Sequence, residues 1–186
     1  MFDWFFKLFD KLTQSVVWDT LLSHFQWVDW FAGIFLIIGI LYGLKNGLIA
    51  EIGEMLELAI VIFIVHDQYE RLVHLMATYM DYIPISYRPP TAFVVTAAPV
   101  FILVHFLFTQ LKKLIHADVI KPLKYIGGAL LGAVHLLLFY SFLVQAILLT
   151  PSHDLKKPLD KGNSYSGEYI AKLSPAVYEI FKHPFE

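Results

Sequence analysis

Cysteine is absent from the 186-residue chain. Disulfides, thiolate metal sites and cysteine nucleophiles are therefore excluded. Charge is scarce as well. Asp, Glu, Lys and Arg together make up 16% of the residues, against about a quarter in a soluble domain. The 14 basic and 16 acidic residues nearly cancel, leaving a formal charge of −2, so no nucleic-acid partner is expected. What the chain has in quantity is apolar surface: 58% hydrophobic residues and a mean hydropathy of +0.61. That composition rules out disorder and leaves too little polar surface to cover a water-facing globule. An integral membrane protein remains.

A helix rises about 1.5 Å per residue, so crossing a ~30 Å hydrocarbon layer takes roughly 20 apolar residues. Four stretches qualify as expected spans: residues 27–44, 48–65, 91–108 and 126–149. The second is interrupted by Glu51, Glu54 and Glu57, which are costly if they face lipid. A soluble bundle is the alternative. It fails because the run 127–149 carries no charge apart from His135 when protonated. A helix apolar on all faces suits lipid or a very large core, and a chain of this length has no such core. The expected fold is thus all-α, with four transmembrane helices in a compact bundle.

The connections differ in kind. Lys45-Asn46-Gly47 is so short that the first two spans must form an antiparallel hairpin. Residues 66–90 hold Pro84, Pro89 and Pro90 and read as a loop, with a helical turn or more within 68–79. Residues 109–124 carry Lys112, Lys113, Lys121 and Lys124, with Pro122 placed to end any helix before the last span. At the N-terminus, Phe2, Phe5, Phe9, Leu12 and Val16 recur at helical spacing opposite Asp3, Lys7, Asp10 and Gln14. Residues 1–25 therefore read as an amphipathic interfacial helix, with packing on its own bundle the open alternative. Asp3 and the lack of a small-residue cleavage site argue against a secretory signal. Residues 26–150 form the expected transmembrane domain. Residues 151–186 read as a peripheral tail whose weak amphipathic helix (Tyr169, Leu173, Val177, Ile180) is interrupted by Pro175.

Small residues indicate close packing. Gly39, Gly43 and Gly47 recur every four residues, and Gly128 and Gly132 repeat the spacing beside Ala129 and Ala133. Lipid gives helices no hydrophobic reason to associate, so close backbone approach must supply van der Waals contact. A compact bundle, a homo-oligomer or contact with other membrane proteins is expected, with the lipid bilayer itself as a partner.

Trp27-Val28-Asp29 opening a span, followed by Gly43-Leu44-Lys45-Asn46-Gly47-Leu48-Ile49-Ala50-Glu51, resembles the hairpin of the colicin V production protein family. Ile126-Gly127-Gly128-Ala129-Leu130-Leu131-Gly132-Ala133-Val134-His135 is similar to that family's fourth span. The likeness covers about residues 26–150, with a weaker echo over 166–175. Asn46 and Ala50 stand where the family tends to be basic, Glu57 where glycine is usual, and His135 where arginine is usual; residues 1–25 are extra. The resemblance implies a four-span bacterial inner-membrane protein needed for colicin V production or export and linked to envelope integrity. It carries over no catalytic residue.

Glu51, Glu54 and Glu57 form a slanting stripe, each about 60° from the last on a 3.6-residue helix. A carboxylate in hydrocarbon finds a partner, takes up a proton or faces water. His105 and His135 are the intramembrane candidates. Counted from the hairpin side at 1.5 Å per residue, Glu54 lies ~10 Å deep and Glu57 ~15 Å, while His105 lies ~10 Å and His135 ~16 Å. Depth therefore pairs Glu54 with His105 and Glu57 with His135. A structural lock is the first reading of this cluster and a proton- or ion-responsive path the second. No metal or other cofactor is expected, since no ligand pair sits at i, i+4 spacing. His116, His153 and His183 read as solvated, and Pro99 as a tolerated kink. There is no HExxH, no G-x-S-x-G, no Walker loop and no dinucleotide fingerprint, so no enzyme is expected. The function reads as a scaffold or accessory factor, with a small oligomeric channel or proton-linked transport subunit as the alternative.

Five lysines on the hairpin side (Lys45, Lys112, Lys113, Lys121, Lys124) face Arg71 and Arg88 in the opposite loop, which favours a cytoplasmic hairpin and periplasmic termini. A C-terminal alkaline phosphatase fusion should be active and a C-terminal green fluorescent fusion dark. The opposite pair of results would invert the topology.

Overall fold

A computed structural model describes residues 25–80, 82–112 and 121–182. The amphipathic helix expected over residues 1–25 falls outside that set apart from Phe25, as do Lys113, His116 and His183. Among the described residues every regular element is helical: α1 (Trp27–Asn46), α2 (Leu48–Tyr79), a 3-10 turn (Ile85–Tyr87), α3 (Arg88–Lys112), α4 (Lys121–Leu149), the single turn α5 (His153–Lys156), a second 3-10 turn (Lys157–Leu159) and α6 (Gly167–Lys182). Three helical stretches are long and apolar enough to cross a membrane: Trp27–Asn46, Ile85–Leu111 and Pro122–Leu149. They make the chain a membrane protein. Glu51, Glu54 and Glu57, then Asp67, Glu70 and Arg71, keep the longer α2 out of that group.

Two boundaries differ from expectation because hydropathy and helicity are separate properties. The segment after residue 65 turns polar without losing its helix. No proline or glycine interrupts it before Tyr79, Arg71 pairs with Asp67 one turn earlier at 3.5 Å, and Met76 is buried. Pro89 and Pro90, meanwhile, start a helix rather than stopping one. They occupy the first turn of α3, where a missing N–H leaves no bond unmade; Pro122 is the second described residue of α4. The Arg88 side chain closes the intervening loop by donating to the Ile83 carbonyl at 3.0 Å and to the Met80 carbonyl at 3.4 Å.

Gly47 is the only residue between α1 and α2. Its φ of +85° lies in the left-handed region that favours glycine, and its N–H donates to the Gly43 carbonyl at 2.8 Å. The chain then reverses. The core is built from two apolar clusters. Leu58, Val61, Ile62 and Val65 of α2 pack on Phe93 and Val104 of α3 and on Leu138 and Phe142 of α4. Val28 and Ala32 of α1 pack on Tyr140 and Val144 of α4, joined by Leu159 and Ile170 from the segment after residue 150.

α1 and α4 meet backbone to backbone. A Cβ added at Gly43 would fall on the Gly128 carbonyl, and one at Gly39 on the Gly132 carbonyl. The converse holds too: a Cβ at Gly128 would also stand 2.8 Å from Gly47 Cα, and one at Gly132 would stand 2.9 Å from Gly43 Cα. Only hydrogen fits at these four positions.

α6 crosses from α1 over α4 to α2. It passes through Pro175, which sequence alone marks as an interruption, and α4 explains why the helix survives. The Ala171 carbonyl, which a residue-175 N–H would have satisfied, accepts Gln145 Nε2 at 2.9 Å. One turn away, the Ser141 hydroxyl donates to the Ile170 carbonyl and accepts the Ser174 N–H at 2.9 Å. Gln145 thus replaces the ladder bond that Pro175 cannot make, and Ser141 adds a second link from α4 to the same turn.

Gly43→Leu should separate α1 from α4 and destabilise the fold by at least the ~1–3 kcal/mol typical of overpacking. Gly33→Ala, at a position with nothing within 4 Å of the added Cβ, should be neutral or slightly stabilising. Thermal melts of the detergent-solubilised chain compare the two; equal melting points would contradict the seam.

Candidate functional site

The polar cluster is assembled from three helices. α2 presents Glu51, Glu54 and Glu57 at intervals of three residues, α3 supplies His105 and α4 supplies His135. The His105 ring meets Glu57, with Nδ1 to Oε1 at 2.7 Å. The His135 Nδ1 faces two carboxylates at once, Glu51 Oε2 at 3.3 Å and Glu54 Oε2 at 3.6 Å. The depth-based pairs, Glu54 with His105 and Glu57 with His135, are thus incorrect: His105 meets the glutamate one position deeper on the stripe, and His135 meets the two shallower ones, Glu54 and Glu51. The glycine seam supplies the reason for His135. It sets Gly128, not Lys124, level with the hairpin, which moves His135 about 6 Å towards that end at 1.5 Å per residue. His105 moves the other way, meeting the glutamate one turn deeper than counted.

Glu51 is fully buried and Glu57 is 4% exposed. His135 is largely covered, whereas the His105 side chain is 58% exposed and lies parallel to the Phe101 ring. Beside the cluster is a cavity of about 350 Å³ lined by Tyr42, Glu54, Glu57, Phe101, His105 and His135 among others. Glu54 and Glu57 therefore line a pocket between helices, while Glu51 is enclosed by the protein. Composition alone could not distinguish this from a stripe turned to lipid.

A second polar site joins the two ends of the described chain. Asp29, buried in the first turn of α1, accepts the Ser166 N–H at 2.7 Å and the Ser166 hydroxyl at 2.6 Å on Oδ1. Its Oδ2 accepts the Gln26 N–H at 3.0 Å. One carboxylate thus caps α1 and anchors the chain at the entrance to α6. Sequence reading had Asp29 only as the opening of a span. A signal was present: a lone acid in an apolar run needs donors, and Ser166, immediately before the amphipathic helix, offers two.

The model of the family described as Colicin V production protein matches residues 28–175. The chain belongs to the colicin V production protein family. That match begins beside Asp29 and ends at Pro175, so it takes in the Asp29–Ser166 contact and α6 as far as Pro175. Membership supports a role in colicin V production. No curated protein and no solved structure gives a match.

Within this family member, the Asp29 contact can be tested alone. Asp29→Ala strands the Ser166 and Gln26 donors, and each unsatisfied buried group costs ~1–3 kcal/mol. The melting point should fall, and limited proteolysis should cut between residues 150 and 167 sooner than in the wild type. An unchanged cleavage pattern would show that Asp29 does not hold α6.

Proposed function

We propose that this colicin V production family protein is a non-enzymatic scaffold or accessory factor of the bacterial inner membrane. It acts in production or export of the toxin and in envelope homeostasis. In this reading α2 is a fourth span in a compact bundle, and both termini are periplasmic. The family match carries the link to the toxin. The scaffold role rests chiefly on the α1–α4 contact, where glycine backbones touch. Asp29, Ser141 and Gln145 brace α6 across the same helices, which supports a rigid assembly.

One observation favours a second reading, a proton-linked path: the cavity beside Glu54, Glu57, His105 and His135. The two readings separate cleanly by experiment. A colicin V-producing host lacking this protein should give a smaller secreted-toxin halo. The wild-type gene should restore it and Gly43→Leu should not. Purified protein in liposomes loaded with a pH-sensitive dye should pass no protons. A full halo in the deletion strain would overturn the role in toxin production; proton flux abolished by Glu57→Gln would replace the scaffold with the transport reading.

A further inference from the structure

Two histidines in one assembly meet the glutamate stripe in different ways. His105 stands 2.7 Å from a single Glu57 oxygen, an ordinary hydrogen-bond separation. His135 does not fit that description. Its Nδ1 lies 3.3 Å from Glu51 Oε2 and 3.6 Å from Glu54 Oε2, and a ring nitrogen carries at most one proton to share between them. The first distance is at the long end for a hydrogen bond and the second is beyond it. Both match another geometry. Bonds of about 2.0–2.1 Å at tetrahedral angles place neighbouring ligand atoms about 3.3 Å apart.

We infer that Glu51, Glu54 and His135 form a binding site for a divalent transition cation of the zinc class. One ligand atom from each residue lies within 4.8 Å of the other two. No two ligands stand at i, i+4 on a single helix; instead α2 contributes two at i, i+3 and α4 contributes the third. An imidazole with two carboxylates and no thiolate suits zinc or ferrous iron better than copper(I) or calcium. Two carboxylates, a neutral imidazole and one divalent cation sum to zero charge, the combination that a low-dielectric interior penalises least. Glu54 and His135 also line the ~350 Å³ cavity, ample for the water of about 30 Å³ that would complete a fourth position. The cation would join α2 to α4, a link that neither apolar cluster provides at the hairpin end. This site does not depend on the toxin-production reading, and each can fail without the other.

The test uses the full chain, stripped with chelator in detergent, then equilibrated with Zn²⁺ and desalted. Elemental analysis should find about one zinc per chain, and X-ray absorption should show nitrogen and oxygen neighbours at about 2.0–2.1 Å. Zn²⁺ should raise the melting point of the wild-type chain. His135→Gln and Glu54→Gln should weaken zinc binding by about 100-fold or more, beyond the loss typical of outer-shell partners. His105→Gln and Glu57→Gln should leave it intact. The wild-type melting shift provides a measurement independent of whether any variant folds. A wild-type chain that retains no zinc and shows no melting shift overturns the site. Loss of zinc in His105→Gln equal to that in His135→Gln would overturn this choice of ligands.

Discussion

The contact between Gly39 and Gly43 of α1 and Gly128 and Gly132 of α4 governs the arrangement of the other helices. In an apolar solvent, helices gain nothing by hiding hydrocarbon from one another, so their association depends on how closely they can approach. Four positions without side chains bring the two backbones into direct contact. Such a contact is stringent about register, because a shift of one residue would set side chains against the opposing backbone. Once α4 is fixed in this way, His135 falls opposite Glu51 and Glu54. On its other face, Tyr140 stacks on Phe35 with ring centroids 5.0 Å apart.

The second governing constraint is the demand of buried polar groups for partners. α4 carries His135, Ser141 and Gln145 in an otherwise apolar run, and each meets a specific group: the α2 carboxylates, the Ile170 carbonyl and the Ala171 carbonyl. Asp29 does the same for α1 through Ser166. The polar residues of the apolar helices thus act as connectors. Proline fits the same logic. Pro175 is tolerated because a neighbouring helix satisfies what its ring leaves unsatisfied, and Pro89 and Pro90 sit in a first turn where nothing is lost.

The sequence by itself determined the helical class, the membrane environment, the hairpin at Gly47 and the family. Each follows from a local or additive property: hydropathy summed over a window, a one-residue link, or glycines at a fixed spacing. It also marked Glu51, Glu54, Glu57, His105 and His135 as one group, since charges in apolar runs are conspicuous wherever they point. Tertiary structure alone decided which glutamate meets which histidine. Depth counted along separate helices assumes a common origin, whereas for α4 the origin is set by the glycine contact, which is non-local. The continuation of α2 to Tyr79, the survival of α6 through Pro175 and the Asp29–Ser166 contact were hidden too. The last two depend on a partner remote in sequence, which no window along the chain contains; the first depends on helicity persisting where hydropathy falls, which a hydropathy window does not register.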